Sequence, residues 1–118
     1  MRHRKKTSRK FHREKGPRKA FFRNLASDLI RKGSITTTEI RAKAIRPIVE
    51  RLVTIAKRQD LASRRLVISR LGNKQVAERL FGEIAPRYKE RPGGYLRITK
   101  SSKKRKRDSA PVATIEFV

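Results

Sequence analysis

The first nineteen residues, MRHRKKTSRKFHREKGPRK, hold ten Lys or Arg, one acid (Glu14) and one large apolar side chain (Phe11). Such a segment buries too little apolar surface to offset the entropy of ordering it, and its cations lie within a Debye length, roughly 8 Å, of one another, so alone it stays extended. A polyanion would order it. The excess continues beyond this arm, with eighteen Lys or Arg between Ala20 and Thr99 and six from Lys100 to Arg107, giving 34 against ten Asp or Glu and a net charge of +24. A charge of this size opposes compaction unless a partner neutralises it, and points to nucleic acid or an anionic membrane.

The membrane is the weaker reading. No apolar run approaches the ~18 residues needed to span a bilayer, and the N-terminus lacks the apolar block of a secretory signal. A cytoplasmic chain is expected. Cysteine is absent, which agrees with a reducing compartment and excludes a disulfide framework or a Cys-based zinc site. The 118 residues are 36% apolar, against about 45–50% in ordinary domains, so one domain with one modest core is the limit.

After Gly16-Pro17 the residues Phe22, Leu25, Ala26 and Leu29 recur at helical spacing, flanked by Phe21 and Ile30, and Gly33 is placed as a C-terminal cap; the pattern predicts a helix from Pro17 to Lys32. Ser34 to Thr38 is β-branched and predicts a short strand, with Thr36 and Glu39 at capping-box spacing before the next helix. From Glu39 to about Arg58, Ile40, Ala44, Ile48, Leu52, Ile55 and Ala56 read as one apolar face. Pro47 lies inside that helix, where its missing N–H and ring clash cost ~3 kcal/mol, so a kink or break is expected near Arg46. Asp60 is placed to cap a third helix carrying Leu61, Leu66 and Val67 up to Gly72, and Asn73 a fourth through Val76, Ala77, Leu80, Phe81 and Ile84, ending before Pro86. Tyr95–Thr99 and Ala113–Val118 alternate with period two around SSKKRKRDSAP, as two antiparallel strands around a charged loop would. With the Ile35 strand this gives an α+β domain over residues 17–118, about four helices on a small three-stranded sheet with a basic hairpin loop at 100–109, preceded by a basic arm over residues 1–16.

Chemistry beyond charge is scarce. His3 and His12 sit among cations with no carboxylate to orient either ring, so neither is placed as a catalyst or metal ligand; stacking on bases or plain solvation is the better reading. Gly93-Gly94 has no companion phosphate-cradle motif and reads as a turn. The acids are scattered, and their default role is surface pairing. Neither catalytic residue, metal nor cofactor is expected, and no small-molecule substrate. Phosphate binding, by contrast, needs only cations in number and at reach. Arg2, Arg4, Lys5, Lys6, Arg9, Lys10 and Arg13 form an arm long enough, at ~3.3 Å per residue, to thread between RNA helices, and Lys103, Lys104, Arg105, Lys106 and Arg107 form a second run. Arg18, Lys19, Arg23, Lys43, Arg64, Arg65, Arg87 and Arg97 are further candidates, on faces that would otherwise simply be solvated. The phenylalanines occur at core spacing, and no RNP-like aromatic motif is present.

Taken in order, Met1-Arg2-His3-Arg4-Lys5, Arg23-Asn24-Leu25-Ala26, Ile35 with Thr37-Thr38, Ala42-Lys43-Ala44, Ala56-Lys57-Arg58, Arg64-Arg65, Leu80-Phe81, Ile84-Ala85-Pro86-Arg87-Tyr88, Gly93-Gly94-Tyr95, Arg97-Ile98, Asp108, Ala110-Pro111, Ala113 and Ile115-Glu116 make a pattern. By it the chain resembles the bacterial large-subunit ribosomal protein L-seventeen family along nearly its whole length. The resemblance implies a non-catalytic, cytoplasmic constituent of the large ribosomal subunit that binds large-subunit ribosomal RNA on the solvent side near the peptide exit, beside neighbouring large-subunit proteins. It also implies helices on a small mixed sheet, an arm inserted into RNA, and contacts from the MRHRK segment, His3 included, and from Thr37 and Thr38, which read equally well as helix-start residues. Two departures stand out: family members tend to carry a glycine in the basic turn, absent from residues 101–107 here, and their long helix normally has no Pro47. Two rivals belong to other classes. A nucleoid-associated or regulatory DNA-binding protein is suggested by a loose helix-turn-helix likeness at Gly72, and an RNA-modifying enzyme is opposed by the missing base and nucleophile.

Overall fold

The computed structural model describes residues 15–118, in the order α1 (Lys15–Lys32), β1 (Ser34–Thr38), α2 (Glu39–Ala56), α3 (Leu61–Leu71), α4 (Lys74–Arg79), β2 (Leu96–Lys104) and β3 (Pro111–Phe117). This is the α+β arrangement expected, four helices against a three-stranded sheet. The sheet differs in one respect from the expected mixed form: its order is β1-β3-β2 and both pairings are antiparallel. The hairpin makes β2 and β3 antiparallel, and β1, entering from α1, runs against β3 on the other side.

Local chemistry sets most helix ends. Gly33 and Gly72 close α1 and α3 with φ of 80° and 68°, a left-handed conformation that costs glycine little. The Asp60 side chain accepts the Ser63 N–H at 2.7 Å and that of Asn73 accepts the Val76 N–H at 3.2 Å. For α2 the cap is Thr38, whose hydroxyl accepts the Arg41 N–H at 3.4 Å. Thr36 instead bonds Thr114 across the sheet at 3.1 Å, so the capping box does not form. The chain must leave the strand before the helix starts, and Thr36 is still paired with Thr114 on β3.

Pro47 does not break α2. It is exposed, as is Lys43 one turn earlier, so the carbonyl that loses its donor lies on the solvent side. Beyond α4 the helix continues past its expected end: a π turn, Leu80–Ile84, lets the Ala85 N–H reach Leu80 O, and a 3-10 turn, Ala85–Tyr88, carries Pro86 in its first positions.

The core lies between the inner sheet face and the helices, with Leu29, Ile30, Ile45, Val49, Val53, Val67, Leu80, Ile84 and Ile115 fully buried. The buried stripe of α2 is Ala42, Ile45, Val49, Leu52, Val53 and Ala56, rotated from the face expected, and Ile40 remains 47% exposed. Helix α2 is apolar on two adjacent stripes, and only the tertiary partners choose between them. On α3, Leu61 and Leu66 are exposed, and Ser63, Val67 and Leu71 take the inside.

Polar pins hold the C-terminal half. Glu50 accepts the Tyr95 N–H at 3.0 Å and a bond from Arg46 at 3.1 Å. The Tyr95 hydroxyl meets Thr54 at 3.2 Å and the Lys57 ammonium at 3.0 Å. Burial pushes that phenol up, but hydrogen bonds from Lys57 and Thr54 and the Lys57 charge outweigh it and leave its pKa lowered. Tyr88 donates to the Val118 carbonyl at 2.7 Å, and its burial raises its pKa.

Candidate nucleic-acid interface

Three kinds of cation emerge once the folded positions are known. The first kind surrounds a groove of about 1020 Å³ beside α1, α2 and α3. Arg18, Lys19, Arg23 and Lys43, all candidates from sequence, line it together with Arg51 and Arg70, which sequence reasoning did not single out. Arg51 was legible in principle, since it follows Ala44 and Ile48 at helical spacing. Arg70 was not, because only the packing of α3 on α1 brings it there. Pro111, the first residue of β3, also lines the groove, so the basic hairpin rises from its edge.

The hairpin loop is the second kind. Lys104, Lys106 and Arg107 are exposed, while Arg105 is paired with Asp108 at 3.3 Å. The loop turns without a glycine: Ser109 adopts φ of 54°, with the Asp108 carboxylate accepting the Ala110 N–H at 3.2 Å and Arg105 N–H donating to Ala110 O at 3.1 Å. An Asp side chain that mimics a backbone acceptor can hold such a turn without glycine. The register slips between Lys100 and Lys104, which lets the basic residues leave the sheet plane.

The third kind is already engaged within the chain, and it overlaps the first at Arg23 and Lys43. Arg23 donates to the carbonyls of Arg70 and Ser69 at 3.2 and 3.3 Å, closing the C-terminal end of α3. Arg97 grips Glu116 through Nη2 at 2.7 Å and Nε at 3.2 Å. Lys43 pairs with Glu39 at 2.8 Å, and that bond, with the nearby Lys100, holds the Glu39 carboxyl below its usual range. Arg64 lies 5.7 Å above the Phe81 ring, a contact that stiffens the guanidinium without neutralising it. Arg65 and Arg87 are exposed. None of Arg64, Arg65, Arg87 and Arg97 lines the groove. Thr38 acts as the helix cap, the structural alternative named for it, whereas Thr37 is still a strand residue, paired with Ala113.

Arg2, His3, Arg4, Lys5, Lys6, Arg9, Lys10 and Arg13 lie outside the described residues, as does the side chain of Lys103. Among the described residues no helix is long and apolar enough to cross a membrane, and no cluster of His, Cys, Asp and Glu could hold a metal ion. Helix α4, which runs on through the π and 3-10 turns, turns Val76, Ala77, Leu80 and Ile84 into the core.

Comparison with known proteins identifies the family. The family model described as Ribosomal protein L17 matches residues 21–118. The large ribosomal subunit protein bL17 of Persephonella marina is 56% identical over 100% of this chain and 95% of its own length, that of Sulfurihydrogenibium sp. 52% identical over 100% and 97%, and that of Lawsonia intracellularis 50% identical over 99% and 92%. A chain that matches the family model over most of its length, and its relatives at half or more of the aligned positions, belongs to the ribosomal protein L17 family, a structural and non-enzymatic component of the ribosome.

Proposed function

We propose that this protein, a constituent of the large ribosomal subunit, is held there by direct contact with large-subunit ribosomal RNA on the solvent side near the peptide exit, beside neighbouring ribosomal proteins. The observation that carries the reading is the grouping of Arg18, Lys19, Arg51 and Arg70 around one groove, which Pro111 at the foot of the basic hairpin also lines. Cations gathered this way with few carboxylates near them favour a partner that brings phosphates. Residues 17–118 act as one rigid block that presents these charges, while residues 1–16 and the loop at 100–109 enter crevices between RNA helices. The working compartment is the cytoplasm, within the large subunit.

The mechanism is counterion release combined with shape fit. If about eight phosphates are neutralised, the log–log dependence of affinity on salt has a slope on the order of −6 to −7. The test is sedimentation of the tagged full chain with ribosomal subunits, with salt titration on a folded large-subunit RNA fragment and duplex DNA as competitor. Co-migration with the large subunit and preference for the RNA are expected. Migration as free protein, or preference for DNA at matched salt, would overturn the reading.

A further inference from the structure

The groove combines two features that a merely solvated basic surface does not need. Its floor along α2 is aliphatic, with Ile40, Ala44, Pro47 and Ile48 at helical spacing and Ile40 47% exposed. Its walls are cationic on three elements, with Arg18 and Lys19 on α1, Arg51 on α2 and Arg70 on α3. The carboxylate that lines it, Glu39, is already held by Lys43 at 2.8 Å and Lys100 at 3.5 Å. Pro47 adds a third feature: having no N–H, it leaves the Lys43 carbonyl without its helical donor, and both residues line the groove.

We propose that the groove receives one unstacked nucleotide of the RNA, from a bulge or loop, with its base on the aliphatic floor, its flanking phosphates on the Arg and Lys walls, and a donor such as the 2′-hydroxyl on the Lys43 carbonyl. This rests on the RNA-binding reading above and names a subsite within it. An unstacked nucleotide carries an apolar face with an anion on either side, whereas a stacked duplex offers the anions alone. A second copy of this chain would bring the same cations and be repelled. An acidic helix from another protein matches the charge, but its backbone N–H groups are spent within its own turns, which leaves the Lys43 carbonyl unmet.

The experiment measures binding of the full chain, by fluorescence anisotropy at one salt concentration, to two RNA hairpins identical except for a single unpaired nucleotide in one stem. The bulged hairpin is expected to bind about ten-fold more tightly, the gain from removing roughly 60 Å² of apolar surface from water. Ala44→Gln, which fills the floor without changing charge, brings that ratio close to one while affinity for the paired hairpin and the salt slope stay as they were. Ile40→Ala, at an exposed position that the core does not need, lowers the ratio part of the way, and circular dichroism checks that both variants fold. Equal binding of the two hairpins by the unaltered chain overturns the subsite and leaves RNA binding intact, as does selectivity that survives both substitutions. Failure to bind either hairpin removes the underlying reading as well.

Discussion

Replacing Lys104, Lys106 and Arg107 together with alanine removes three exposed hairpin cations that meet no carboxylate among the described residues, whereas Arg97 of β2 sits on Glu116 at 2.7 Å. By charge alone the four positions look alike. Each phosphate neutralised contributes roughly 0.7–0.9 to the salt slope, so the triple variant should lose about 2.1–2.7 from a slope of about −6 to −7. Between about 50 and 200 mM salt the drop in affinity then shrinks roughly 20- to 40-fold. The double variant Arg97→Ala with Glu116→Ala leaves net charge unchanged and removes an arginine already occupied, so its slope should stay within about 0.3 of the original. Anisotropy titrations of a folded large-subunit RNA fragment across salt give all three slopes. A loss near 0.8 in the double variant, or below about 1 in the triple, would refute the claim that internal pairing separates phosphate-binding cations from structural ones.

Glu50→Ala strips the buried Tyr95 N–H of its acceptor and should cost about 2 kcal/mol in urea unfolding, while Glu50→Gln, which keeps an oxygen there, should cost markedly less. Arg23→Met removes both bonds that close the end of α3; we expect a stability loss of about 1–2 kcal/mol and RNA affinity, measured on folded protein, nearly unchanged. Acid should weaken the fold in a narrow window. Hydrogen bonds from Lys43 hold the Glu39 carboxyl, and those from Ser63 the Asp60 carboxyl, below their ordinary values. A depressed pKa gives stability that is present above the unfolded value, about 4 for both groups, and is lost as pH falls through the folded one. The urea midpoint should therefore be flat from neutrality to about pH 5 and fall below about pH 4, with part of that fall absent in Asp60→Ala.

The sequence alone determined the α+β class, the positions of the helices and strands, and the helix ends at Gly33, Asp60, Gly72 and Asn73, because caps and periodicity act over a few residues. It also raised the expectation of a polyanion partner, since charge composition is independent of fold. What only the tertiary structure decided is which of two apolar stripes on α2 is buried, why Leu61 and Leu66 stay outside, and how a loop without glycine closes through Asp108 and Ser109. It also sorted the cations, freeing Arg51 and Arg70 for the groove and committing Arg23 and Arg97 to internal partners far away in sequence. An arginine's availability depends on what lies within a few ångströms of its guanidinium, and those neighbours come from other elements brought close only by packing.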